Sequence, residues 1–301
     1  MGGISSSLLP LVRDSSGGNA DYLVGEVIDI HGYLYKFRRR LGKGGFGAVY
    51  AATGPDGDSV AVKVIDISRV PSHRAPGFVE SYLTEVKHLE KLRQESNHVV
   101  HIYDFDFDPD YGLAYIVMEL GGESLLGLVN RLHKKAKHRR EPGTYINPVV
   151  RQSIWRQMVT IVRTLIENNV VHMDLKPDNL ILFGRTLKII DLGLAQKPHV
   201  GSPAFGGTPQ FSAPEVMDDP SAHGHSFSSK SDIWSLGAIL YFMTYGVPPK
   251  YHHRAADPPH GQKQARDRHL VDILRLTLVT DPHGRADIHT LLHHPYTKRH
   301  K

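Results

Sequence analysis

His172-Met173-Asp174-Leu175-Lys176-Pro177-Asp178-Asn179, followed twelve residues after Asn179 by Asp191-Leu192-Gly193, gathers an acid, a cation and two oxygen ligands in one short stretch. A hydroxyl attacking a nucleotide γ-phosphate needs a proton acceptor beside it, positive charge on the transferring group, and hard oxygen ligands for magnesium. Asp174 can be the acceptor, and Lys176, two residues along an extended loop, can aim its ammonium at the same phosphate. Asn179 and Asp191 offer the oxygens suited to Mg²⁺, while Pro177 stiffens the loop between them. The spacing suits phosphoryl transfer.

Upstream, Gly42-Lys43-Gly44-Gly45-Phe46-Gly47-Ala48-Val49 is a G-x-G-x-x-G-x-V run, followed by Val60-Ala61-Val62-Lys63. Glycines let the backbone approach phosphate oxygens closely. The same spacing occurs in dinucleotide sites, where it leads into a helix. Here the flanks Tyr33 to Phe37 and Ala48 to Ala52 alternate like strands, and Gly54-Pro55-Asp56-Gly57-Asp58 is a turn before another strand. A β-hairpin lid over phosphates fits better. Pro148 to Asn169 reads as one long amphipathic helix, with Ile154, Met158, Ile161, Val162 and Leu165 on one face, and Ser231 to Met243 as a buried, mostly apolar helix.

With these pieces in order (glycine loop, V-A-V-K, a helix carrying Glu85, H-x-D-L-K-P-x-N, D-x-G, and Ala213-Pro214-Glu215) the chain resembles a eukaryotic protein kinase from about Tyr33 to Tyr296. The resemblance implies an α+β, bilobal protein-kinase fold. Its N-lobe, 32–118, would be a small antiparallel β-sheet with one main helix; a hinge, 119–122, would lead to a larger, mainly α-helical C-lobe, 123–297. Residues 1–31 would be a flexible leader and 298–301 a tail. ATP, Mg²⁺ and a protein substrate are the implied ligands. Lys63 would bind the α- and β-phosphates and pair with Glu85, with Glu80 as the other candidate. Glu85 is preferred because Leu89 and Leu92 follow at i+4 and i+7, which puts the carboxylate on the helix face that docks.

The same resemblance implies a nucleotide site of Leu41, Gly42, Gly44, Gly47 and Val49 from the lid, with Ala61 above the adenine and Ile181 below it. Met118 would be the gatekeeper, and backbone groups of Glu119 and Gly121, or a neighbour one residue away, would meet the adenine edge. Asp232 would anchor the catalytic-loop backbone, and Arg285 would be the buried partner of Glu215. Lys176 and Thr208 imply a Ser/Thr acceptor. His172 reads as a packed core histidine rather than a base, given its apolar neighbours.

Within the kinases the chain is similar to the monopolar-spindle, TTK-type dual-specificity group. The matching pieces are Ile102-Tyr103-Asp104-Phe105, Ile116 to Glu119, Asp174 to Pro177, Leu187 to Asp191, Tyr241-Phe242-Met243-Thr244-Tyr245-Gly246 and His294-Pro295-Tyr296. Tyrosine is a second acceptor if that likeness extends to specificity. Met173 stands where many kinases have arginine, which removes the usual cation for an activation-loop phosphate. Leu192 replaces the phenylalanine of D-F-G and should complete an internal stack with Ile102, Leu89 and His172. TTK-type proteins usually carry an extended N-terminal region, and about thirty residues precede the domain here, so a spindle-checkpoint role does not transfer with the motifs. The competing class is a pseudokinase scaffold, which would bind nucleotide without turnover.

A chain of 301 residues at 40% hydrophobic content can bury two lobes and little more. Zero cysteines exclude disulfides and thiolate metal sites and fit a reducing compartment, cytoplasmic or nuclear. No apolar run reaches the roughly 18–20 residues of a membrane span. Met1-Gly2-Gly3-Ile4-Ser5-Ser6 fits the N-myristoylation pattern, and weak membrane contact would follow only from acylation of Gly2. Ser202-Pro203 reads as a plain turn. The twenty histidines, without an H-E-x-x-H helix, do not make a structural metal site. The net charge is +5, and basic residues concentrate in Arg131-Leu132-His133-Lys134-Lys135-Ala136-Lys137-His138-Arg139-Arg140, expected to be an insertion or extended loop between two helices with a solvated surface, the alternative being a site for acidic proteins, anionic lipid or RNA. Nucleic acid is not an expected partner, and no oligomeric state is assigned.

Overall fold

Strands Val27–Ile30 (β1), Tyr33–Lys43 (β2), Gly47–Thr53 (β3), Ser59–Asp66 (β4), Ile102–Asp108 (β5) and Leu113–Glu119 (β6) form one antiparallel sheet in the order β1-β2-β3-β4-β6-β5. The computed structural model describes residues 22–43, 47–70, 73, 75–139, 146–195, 208–217, 228–250 and 254–298. The β-branched run of β4 alternates with period two, so Val60, Val62 and Val64 enter one core with Val117, Tyr115, Phe37 and Tyr50. Ala61 points the other way, into a second core shared with Ile116, Met118 and the larger lobe. Lys63, two residues on, has the parity of Ala61, and its strand neighbours in register are Val49 and Ile116. Strand pleat alone therefore puts the lysine on the face that meets the second lobe.

That face is covered by the helix Ala75–Glu95 (α1), whose Tyr82, Val86, Leu89 and Leu92 are buried. The helices that follow are Leu125–Arg139 (α2), Pro148–Glu167 (α3), Pro214–Met217 (α4), Ser229–Tyr245 (α5), Arg268–Thr277 (α6) and Ile288–His293 (α7). A two-stranded ribbon, Leu180–Phe183 (β7) with Thr186–Ile189 (β8), lies between α3 and α4 in the chain. Asn147 caps α3 by accepting from the Val149 N–H at 2.9 Å, with Pro148 in the first turn. Every residue of α5 from Ser231 to Tyr245 is buried, as an all-round apolar helix must be. It ends at Gly246, whose φ of 77° closes the helix with an N–H bond to the Phe242 carbonyl. No helix of the described residues is long and apolar enough to cross a membrane.

Two expectations need correction. Residues 22–30, assigned to a flexible leader, belong to the fold: Leu23, Ile28 and Ile30 are buried and β1 pairs along β2 from Val27↔Lys36 to Ile30↔Tyr33. The basic stretch expected as a loop is, as far as residue 139, the second half of α2. Alanine, lysine and arginine are strong helix formers, and like charges at a helix surface do not outweigh that preference.

Candidate active site

The loop before β7 is set by a residue 58 positions away from Asp174. Asp232, 1% exposed in the first turn of α5, accepts the backbone N–H groups of His172 at 2.8 Å and Met173 at 3.2 Å. Met173 has φ 69°, a left-handed conformation that side chains of L-residues rarely adopt. The two bonds to a buried carboxylate hold it there. Burial pushes the Asp232 carboxyl above its ordinary value, and the two N–H groups oppose that. His172 is 1% exposed and its Nδ1 accepts from the Asp174 N–H at 3.2 Å, so a neutral ring carries its proton on Nε2. It is a packed residue.

Downstream of that bend, three side chains converge. Lys176 Nζ lies 2.5 Å from Asp174 Oδ2 and donates to Thr208 Oγ1 at 2.9 Å; the Thr208 hydroxyl donates to Asp174 Oδ1, also at 2.9 Å. Asn179, in the 3₁₀ turn Pro177–Asn179, donates its amide nitrogen to the Asp174 carbonyl at 3.1 Å. The amide oxygen is thereby turned to the opposite side of the group.

A second cluster joins the lobes. Lys63 Nζ is 2.6 Å from Glu85 Oε1 and 3.1 Å from Asp191 Oδ1, and Asp191 Oδ1 also accepts the Gly193 N–H at 2.9 Å. Burial pulls the Lys63 ammonium down, but the carboxylates of Glu85 and Asp191 outweigh it and hold the group above an ordinary lysine. Asp191 would be raised by burial; Lys63 and the Gly193 N–H instead hold it far below the usual carboxylate range. Burial raises Glu85 to about 7, against the pull of Lys63. Glu85 is 2% exposed, whereas Glu80 lies on the outer side of α1 and lines a cleft of about 420 Å³ with Gly77, Ser81, Thr84 and Leu194. Leu192 is 1% exposed in the core that also contains Leu89, Met173 and, at its edge, Ile102.

Lys63 itself stands in a strip of the sheet. Gly42, Val49, Lys63 and Ile116 stand in register across β2, β3, β4 and β6, and Ala61, Met118 and Ile102 across β4, β6 and β5. Leu41 precedes Gly42 at the partly exposed end of β2. Gly47 has a steric reason to be glycine, since a Cβ there would fall 2.1 Å from the Val64 carbonyl oxygen. Gly44 lies outside the described residues, as do Gly2, Ser202 and Pro203. Glu119 ends β6, and the chain beyond it lies on β7: Gly122 N–H donates to the Leu182 carbonyl at 2.8 Å, and a Cβ at Gly121 would meet Ile181 Cγ2 at 2.4 Å. Ile181 therefore lies directly under the connection between the lobes. No motif in the sequence marks a role for Lys188. Its Nζ is 2.5 Å from Glu119 Oε1, which also accepts the His101 N–H at 2.8 Å, and it sits over the Phe183 ring at 4.7 Å. The only sequence signal was a charge inside the apolar strand Leu187-Lys188-Ile189-Ile190.

Below the site, Arg285 holds Glu215 through two bonds of 2.7 and 2.9 Å, and both side chains are almost wholly buried.

Residues 35–297 match the family model described as protein kinase domain. The chain is similar to the dual specificity protein kinase TTK of Mus musculus, 31% identical over 91% of this chain and 33% of the relative. It is similar to the dual specificity protein kinase Ttk of Danio rerio, 32% identical over 90% of this chain and 28% of the relative. The probable serine/threonine-protein kinase mps1 of Dictyostelium discoideum is 31% identical over 91% of this chain and 28% of its own length. The chain thus spans about a third or less of these relatives.

Proposed function

This chain belongs to the protein kinase family, and we infer that it transfers the γ-phosphate of ATP to serine or threonine hydroxyls of proteins, with tyrosine a further acceptor as the names of its dual-specificity relatives suggest. The observation that carries the assignment is the triangle of Asp174, Lys176 and Thr208, in which one carboxylate is bonded at both oxygens to groups that fix its direction. Asp174 orients the attacking hydroxyl and accepts its proton. Lys176 sits where an ammonium can follow the charge of the transferred group, and Thr208 holds the two in register.

Lys63, oriented by Glu85, binds the nucleotide phosphates, while Val49, Ala61, Met118 and Ile181 enclose the adenine between sheet and β7. Leu41, Gly42, Gly44 and Gly47 form the lid, and the backbone at Glu119 and Gly121 meets the adenine edge. The donors at Asn179 and Asp191 fit Mg²⁺: one is an amide oxygen turned out by the bond of its own nitrogen, the other a carboxylate that stays ionised. When bound, Mg²⁺ neutralises charge on the phosphate oxygens. Zero cysteines and dependence on ATP fit the cytoplasm or nucleus, and acylation of Gly2 would add a reversible hold on a membrane.

Incubation with Mg-ATP and a generic Ser/Thr protein substrate, read by mass spectrometry, tests this. Wild type should incorporate phosphate and Asp174→Ala should not. Nucleotide binding without incorporation by wild type would overturn the assignment in favour of a scaffold.

A further inference from the structure

The positive charge of this chain is not spread over it. Residues 131–140 hold six lysines and arginines and no acid, and residues 247–268 hold five against two acids. Together these stretches exceed the net +5 of the whole chain, so the remainder is net acidic. The fold brings the described parts of the two stretches to one end of α5. His133, in the third turn of α2, lies against the C-terminal end of α5, where a Cβ on Gly246 would fall 2.4 Å from its Nδ1. The 247–268 segment leaves from that glycine and is tied back to the same end of α5. Tyr241 donates its hydroxyl to the Asp257 carbonyl at 2.8 Å, Gln262 donates to the Tyr245 carbonyl at 3.3 Å, and the Ala265 N–H reaches the Tyr245 hydroxyl at 3.4 Å.

The acids within this region are already engaged. Asp257 pairs with Arg254, and Asp267 caps α6 through the N–H groups of His269 and Leu270. Lys134, Lys135, Lys250, Lys263 and Arg266 are exposed; among the described residues none of them is in an ion pair, and only Lys135 feels a nearby carboxylate, that of Glu123, which is itself bonded to Arg131. Such a cluster repels itself and attracts an opposite charge of extended shape.

We propose that this face of the larger lobe docks an acidic segment of the protein substrate. The proposal rests on the reading of the chain as a protein kinase. Its geometry follows from α2, which packs against the Pro177–Asn179 turn beside Asp174 and whose approach, Gly122 and Glu123, is bonded to Leu182 in β7, the strand that follows that turn. Lys134 and Lys135 lie nine and ten residues beyond Leu125, roughly 14 Å further along the helix axis at 1.5 Å per residue. An extended peptide covers about 3.3 Å per residue; with the separation of up to 8 Å between helix and turn added to those roughly 14 Å, the acidic run belongs roughly five to eight residues from the phosphorylated side chain.

The test compares two peptides with one acceptor serine, one carrying a run of glutamates six residues away and the other a Gly/Ser run. At about 0.05 M salt the acidic peptide should have a KM about tenfold lower, and by about 0.5 M salt the two should agree within about twofold, because exposed charges are then screened. Lys134→Glu with Lys135→Glu and Lys263→Glu should abolish the preference and leave kcat on the Gly/Ser peptide unchanged. Equal KM values in wild type, or a preference that survives the triple variant, would overturn the proposal. Fluorescence anisotropy of the labelled peptides without nucleotide gives the same ranking even in a chain that transfers no phosphate, which separates failure of docking from failure of catalysis. Uniform single-stranded RNA and phosphatidylserine vesicles complete the comparison. Tighter binding of either than of the acidic peptide, lost in the triple variant, would assign the face to that partner and overturn the substrate reading.

Discussion

Replacing Arg285 by methionine should cost the larger lobe more than any other single polar substitution outside the active site. The guanidinium is fully buried, and each of its nitrogens donates: Nε to the Val279 carbonyl, one terminal nitrogen to Glu215 and the Lys230 carbonyl, the other to Glu215 and the Thr280 carbonyl. Methionine keeps most of the volume and the apolar contact with Trp234, whose ring lies 5.2 Å from the guanidinium carbon. It leaves the Glu215 carboxylate buried with only the Ser231 hydroxyl, 3.0 Å away, among its polar contacts from the described residues. Stranding one partner of a buried ion pair costs about 3–5 kcal/mol. Urea unfolding with a slope of about 2 kcal/mol per molar converts that into a midpoint lower by about 1.5–2.5 M.

Tryptophan fluorescence is the right probe, because both tryptophans, Trp155 in α3 and Trp234 in α5, are buried in the larger lobe and report on it alone. The double variant Glu215→Gln with Arg285→Met removes the stranded charge and should recover at least about 1 kcal/mol of the loss. A single variant with a midpoint within about 0.3 M of wild type would refute the reasoning, as would a double variant less stable than the single one.

Two other outcomes test local packing and capping. Gly237→Ala puts a Cβ 2.3 Å from Thr277 Oγ1 and 2.7 Å from Thr277 Cβ across the α5–α6 contact; it should destabilise by about 1–3 kcal/mol, and Thr277→Ala should relieve part of that in the same urea assay. Asp287 caps α7 by accepting both the N–H and the hydroxyl of Thr290, bonds that hold its carboxyl below the ordinary value. A depressed folded-state value means the contribution is present above the unfolded value and is lost as pH falls through the folded one. Asp287→Ala should therefore cost about 1 kcal/mol at neutral pH, and thermal melts of the two proteins should converge in acid.

How much of this could be read from the chain depends on how local the cause is. The alternation of Val60, Ala61, Val62 and Lys63 already assigns faces, and the i+4 and i+7 spacing of Leu89 and Leu92 from Glu85 selects that acid over Glu80. In the folded chain Lys63 meets Glu85 and stands in register with Ile116, because pleat and helical period act over a few residues. The segment 22–30 carries little local signal, because its strand is only four residues long and follows a polar, glycine-bearing stretch. What holds it is partly remote: the His31 N–H donates to Asp106 on β5 at 2.9 Å, and its ring lies 3.1 Å from Asp104. The second half of α2 is the opposite case, a local composition that favours helix beneath a charge pattern that suggests a loop.

The same distinction explains the candidate site. Each group in it sits in a short motif, so its identity was legible; its direction was not, because direction comes from elements that meet only in the folded chain. Asp174 points where it does because Met173 is held at φ 69° by Asp232 in α5, and because Lys176 and Thr208 bond its two oxygens. The lobes are held at their present separation by Lys63, Glu85 and Asp191, which come from a strand, a helix and a loop, and by the Lys188–Glu119 pair behind the connection. Asp232, Glu85 and Lys188 touch neither phosphate nor hydroxyl, yet a shift of about 1 Å in an oriented group is enough to slow a transfer by about a hundredfold. Position in this site is therefore set by buried ion pairs, and Lys188–Glu119 is the one among them that the motifs leave unread.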